Sequence, residues 1–166
     1  MKYLIDSNCF IEPHRGLCPI DVAVSFWSKL KQLMTEKDVY VLDKVKGELT
    51  EWEDELKKWI TENVGKEQLL KFETAESVEQ FKAVNIWAMS HPQYTDAAKN
   101  KFTAADRADI YLVSYAALNP GEWTVVSQEK SSPLSSTEIK LPDACRKFNV
   151  RCINFMDMFR EMQETF

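Results

Sequence analysis

Residues 2–10 read KYLIDSNCF, and the fold turns on how this stretch is read. Its opening, KYLI, lacks the polar alternation of a half-exposed strand and matches a strand covered on both faces, as in a parallel sheet. The run stops at Asp6, and Ser7 and Asn8 follow at once. A carboxylate at the tip of a central strand can start a turn, cap a helix or ligate a metal. The stretch alone leaves all three open.

Outward from it, a loop is expected around Pro13, Gly16 and Pro19. Ile20, Val24, Trp27, Leu30 and Met34 then recur at helical spacing. VYVLD (39–43) is a second β-branched run. KVKGELTEWEDELKKWITENV (44–64) reads as one or two charged helices, with Trp52 and Trp59 on a shared face. A helix over 74–90 ends before Pro92, and 95–120 holds one or two more that stop before Pro120. EWTVVS (122–127) and VRCINF (150–155) are the third and fourth strands, with short helices at 141–149 and 156–163. Strands alternating with helices predict an α/β fold with a parallel sheet covered on both faces. In such sheets ligands bind at the carboxyl ends of the strands, so Asp6 and the SQEK that follows the third strand share an edge.

The chain of 166 residues suits a single domain spanning 1–166. With 45% apolar and 28% charged residues and only 4 glycines, it groups with globular proteins, not disordered or fibrous ones. A net charge of −5 argues against a broad basic surface for nucleic acid, while leaving room for a basic rim around an acidic site. Cys9, Cys18, Cys145 and Cys152 lack C-x-x-C spacing and are expected as reduced thiols in a cytoplasmic protein, ahead of a disulfide pair. No signal peptide and no membrane-length apolar run are apparent, so no membrane attachment is expected.

Several chemistries lack their signatures. Glycines at 16, 47, 65 and 121 form no phosphate-cradling loop. His14 and His91 belong to no zinc pattern, and no G-x-S-x-G presents a nucleophile. Carboxylate is what remains. Asp6 ends the first strand, Glu48 is expected at the start of the helix after the second, Asp109 opens an apolar helix, and Glu129 follows the third strand.

Singly, each acid has an ordinary explanation. Asp6 can begin a turn with Ser7 and Asn8, Asp106 can cap the helix that Asp109 enters, and Glu48 and Glu129 can be solvated charges. Together they form a cluster whose mutual repulsion calls for a cation. Hard oxygen donors without histidine or thiolate select Mg²⁺ or Mn²⁺, a setting suited to phosphoryl transfer to water. A phosphatase with Asp6 as nucleophile would want a second Asp at the position of Asn8, which speaks against that class.

YLIDSN, VKGEL, ADIYLVSYA and TVVSQEK, in this order and spacing, resemble the four acidic stations of the PIN domain family, whose best-known members are the VapC toxins. FIEPHRG with FWSKL, and VVSQEK with IKLPDACRKFNVRCINFMDM, resemble more closely a prokaryotic PIN-like branch described only as a domain of unknown function. The resemblance implies a Rossmann-like three-layer α/β/α sandwich with a parallel sheet of four or five strands, and Mg²⁺- or Mn²⁺-dependent RNA cleavage. It places Asp6, Glu48, Asp109 and Glu129 as catalytic metal ligands, with Asp106 competing for the third station. Glu129 departs from the family's usual Asp at the fourth station. Ser7, Asn8 and Ser127 are expected beside the carboxylates. His14, Arg15, Lys99, Lys101, Arg107 and Lys130 are candidates for the RNA backbone, whereas the tryptophans are expected in the core. An antitoxin partner and a homodimer are further implications. The alternative is a non-catalytic PIN-like binding module in which the acids persist as structural caps.

Overall fold

The structure is a computed structural model and describes residues 1–166. Five strands form its sheet: β1 (Lys2–Ile5), β2 (Val39–Leu42), β3 (Leu69–Leu70), β4 (Trp123–Val126) and β5 (Arg151–Ile153). They run parallel in the order β3-β2-β1-β4-β5. The opening stretch thus lies at the centre, with Leu4 beside Tyr40 on one side and Val125 on the other. Leu4, Ile5, Val39, Val41 and Val125 have no exposed surface. Burying each such side chain stabilises the fold by roughly 1.5–3 kcal/mol.

Nine helices complete a three-layer α/β/α sandwich. On one side α2 (Val24–Glu36) meets α9 (Phe155–Met162), where Phe26 lies 5.8 Å from Phe155 and 6.4 Å from Phe159. Elsewhere α5 (Ala75–Ser90) packs on α7 (Asp109–Ala116), and the Phe81 and Tyr111 rings are 5.0 Å apart. No helix is long and apolar enough to cross a membrane. All four cysteines are free thiols.

The structure departs from the sequence reading in four places. The expected loop after β1 is instead α1 (Asn8–Arg15), so Ser7 and Asn8 enter a helix rather than a turn. Cys9 and Phe10 of α1 are wholly buried, and that burial outweighs the backbone donor lost at Pro13 near the helix end. The charged segment after β2 forms two helices, one of the two readings expected, α3 (Asp43–Leu49) and α4 (Glu55–Asn63), but the break between them falls after Glu48. Glu48 therefore stands in the last turn of α3, not at a helix start. Trp52, on the connector between these helices, is 66% exposed instead of packing with Trp59. Finally, β3 went unpredicted: two residues carry no period, and pairing with Val41 and Leu42 makes them a strand.

Candidate carboxylate site

The strand order reverses between β1 and β4, and Asp6 lies at that switch point. Its backbone N–H continues the ladder to the Val126 carbonyl at 2.9 Å, so the carboxylate emerges at the carboxyl edge of the sheet. The side chain is 1% exposed. Ser127, the residue after β4, donates its hydroxyl to Asp6 Oδ2 at 2.7 Å. Ser7 Oγ and Asn8 Nδ2 approach Oδ1 and Oδ2 at 3.4 Å each. The three polar neighbours expected at Asp6 are all there.

Two glutamates reach the site by capping helices far away in sequence. Glu48 Oε1 accepts the backbone N–H of Ala108 at 2.8 Å, at the start of α7, where no local side chain caps the helix. Glu129 Oε2 accepts the N–H of Leu141 at 2.9 Å, at the first residue of α8 (Leu141–Lys147). Each bond satisfies one orphan donor and puts a carboxylate at the positive end of a helix. Glu129 is also pinned from behind, where its own N–H donates to Ser127 Oγ at 3.1 Å.

Asp109 opens α7, partly open to solvent, with its carboxyl set among the others. Burial pushes it well above the ordinary carboxylate range, and the charges of Asp6, Glu129 and Glu48 add to the effect. Asp6 is pushed up to about 7, first by burial and then by Glu129 and Glu48, against the lowering effect of the Ser127 hydrogen bond. The four acids thus form one electrostatic unit. Asp106, expected as a helix cap, makes no such bond and stands exposed three residues away. It lines the cleft without joining the cluster at Asp6.

A cleft of about 510 Å³ opens above these groups. Ser7, Asn8, Glu48, Asp109 and Glu129 line it, while Asp6 sits beneath its floor. Of the candidate backbone contacts, Arg15, Lys101 and Arg107 also line it. His14, Lys99 and Lys130 do not. His14 has a buried Nδ1 without a partner and its ring 6.4 Å from Trp27, Lys99 lies 4.0 Å from Asp96, and Lys130 borders a separate groove.

Lys140 is a cleft residue that sequence reading missed. Its ammonium lies 2.5 Å from Glu138 and 4.0 Å from Glu129, and Glu138 also holds Lys101 at 3.0 Å. The two ammonium groups lower the Glu138 carboxyl to about 2, and Glu138 in turn raises Lys140. No local pattern marks Lys140, whose place depends on the contact between Leu141 and Glu129, twelve residues apart.

No three histidine, cysteine, aspartate or glutamate side chains stand at metal-ligand spacing in this arrangement. The donor set nonetheless fits a hard divalent ion in its chemistry. It offers carboxylates and a hydroxyl without imidazole or thiolate, and its acids are raised by burial and by neighbouring carboxylates, both of which a cation would offset. Glu48 Oε2 takes no part in the bond to Ala108 and remains available to an ion.

A chain in the crystal structure of VapBC2 from Rickettsia felis bound to a DNA fragment from their promoter shares the fold. The TM-score is 0.54 with 12% identity, over 93% of this chain and 99% of the other. That likeness shows a shared fold. No curated protein matches the sequence. Residues 3–166 match the family described as "Domain of unknown function (DUF4411)", and the chain belongs to that family.

Proposed function

We propose that the chain is a PIN-like nuclease that hydrolyses RNA phosphodiester bonds with Mg²⁺ or Mn²⁺, as the toxin of a toxin–antitoxin pair. One observation carries this reading: Asp6 and Asp109 sit beside Glu48 and Glu129 at the switch point of a parallel sheet, where burial and the neighbouring carboxylates raise both carboxyls. Such a cluster is unfavourable unless a cation is its purpose. Asp6, Glu48, Asp109 and Glu129 would hold the ion. A bound Mg²⁺ or Mn²⁺ supplies a water of lowered pKa and offsets charge on the phosphate oxygens.

The protein's own groups set the stage for that chemistry. Ser127 fixes the orientation of Asp6, and the N-termini of α7 and α8 fix Glu48 and Glu129. Arg15, Lys101, Arg107 and Lys140 line the cleft where a phosphate backbone can be drawn over the acids. The partner is inferred from the neighbour in fold, which is named as a VapBC pair.

The test is cleavage of RNA by purified protein with Mn²⁺ or Mg²⁺, abolished by EDTA and by Asp6→Asn. Cleavage that survives Asp6→Asn would remove the proposed centre. A second reading, a non-catalytic PIN-like module, draws on the caps themselves, because Glu48 and Glu129 already serve Ala108 and Leu141. It expects no cleavage with either metal.

A further inference from the structure

The rings of Trp27, Trp59, Trp87 and Trp123 all lie against other aromatic side chains. Trp52 makes no such contact, and no protein group accepts a hydrogen bond from its indole N–H, although every other tryptophan is at least half-buried. The residue is 66% exposed, and it lines the same cleft as Glu48, Asp109 and Glu129. A lone exposed apolar residue is ordinary on a protein surface, so it is the position of this indole, in the cleft beside the carboxylates, that points to a ligand.

The surroundings narrow the choice of ligand. The connector that presents Trp52 also presents Glu51 and Asp54 to the cleft, and these repel phosphate. The cationic side chains come from other elements, namely Arg15 of α1, Lys101 of α6 (Asp96–Phe102), Arg107 before α7 and Lys140 before α8. A ligand satisfying both parts carries an uncharged flat surface for the indole and anionic links for the cations. A nucleotide chain has that make-up, and its bases are free to stack only where they are unpaired.

We infer that Trp52 is the stacking platform for one unpaired base of a single-stranded RNA lying in the cleft. The inference rests on the proposed nuclease reading and adds to it a residue that positions the substrate. The connector is anchored at both ends, since Thr50 caps α3 and Asp54 caps α4 by accepting the Lys57 N–H at 2.9 Å. The platform is therefore held in place beside Glu48, four residues away.

The experiment is binding of a labelled, uncleavable 2′-O-methyl single-stranded oligoribonucleotide to wild type, Trp52→Phe and Trp52→Ala, in Mg²⁺, alongside cleavage of the unmodified RNA. Trp52→Ala should weaken binding by about 5- to 150-fold and Trp52→Phe far less. Moving one abasic site along the oligonucleotide should find a position that weakens wild type by a similar factor and leaves Trp52→Ala unaffected. A fully paired duplex should bind wild type and Trp52→Ala alike. Equal binding of single strands by wild type and Trp52→Ala overturns the inference even if RNA is cleaved, and leaves Trp52 as an anchor for a protein. Trp52-dependent binding without cleavage in Mg²⁺ or Mn²⁺ upholds the platform and sinks the nuclease reading. Failure of wild type to bind the single strand overturns both.

Discussion

At the scale of single residues, Asp6 sets the chemistry and its cost. A carboxyl raised from 3.8 to about 7 is protonated in the fold at pH values where the unfolded chain has released its proton. Its contribution to stability is fully present below pH 3.8 and is lost as the pH rises through about 7. The shift corresponds to an amount on the order of 4 kcal/mol. Asp109 is displaced in the same direction and adds to the slope. In EDTA, urea midpoints should therefore fall between pH 5 and pH 8. Asp6→Asn should flatten that fall and leave the protein more stable than wild type at pH 8. The amide keeps the shape of the carboxyl, and the hydroxyls of Ser7 and Ser127 can turn to accept from it. A variant less stable than wild type at pH 8 would show that the charge is accommodated in a way this account omits.

At the scale of elements, the caps join architecture to site. Glu48 supplies the N-terminus of α7 from sixty residues away, because Ala108 offers no side chain for the purpose. Glu48→Gln keeps a carbonyl oxygen for the Ala108 N–H while removing the charge, whereas Glu48→Ala removes both. Thermal unfolding in EDTA should place Glu48→Gln close to wild type and Glu48→Ala lower by about 0.5–2 kcal/mol. Both should lose RNA cleavage, and equal destabilisation of the two variants would deny the cap its role. The same contact explains what the sequence hid. Capping rules look three residues ahead, so they assigned Asp106 to this helix and could not see a glutamate from α3. The helix after β1 was hidden for a related reason, since Pro13 and Gly16 signal a break while the burial of Phe10 that overrides them is tertiary. The strands β1, β2, β4 and β5 were legible because short apolar and β-branched stretches between helical segments have few other uses in a chain of this composition.

At the scale of the whole molecule, the parallel sheet turns weak local signals into one site. Asp6 and Ser127 had to be neighbours once β1 and β4 were known to run side by side, and the order of strands β3-β2-β1-β4-β5 makes them so. Lys140, Glu138 and Trp52 were beyond such reasoning, because each sits on a connection whose path only the folded chain fixes. The convergence carries a consequence for metal binding. Ions must displace protons from Asp6 and Asp109, so affinity should grow as the pH rises through about 7. Mn²⁺ at a hundred times its dissociation constant adds about 2.7 kcal/mol to a fold that alone binds it. For a domain of this size that raises the melting temperature by roughly 5–10 °C. The rise should appear at pH 8, shrink sharply at pH 5 and vanish in Asp6→Asn. A module whose acids act only as caps predicts no rise at pH 8. A rise that is equal at both pH values and survives Asp6→Asn would place the ion elsewhere on the surface. Scanning calorimetry of the two proteins at the two pH values, with and without Mn²⁺, separates these outcomes without any RNA in the tube.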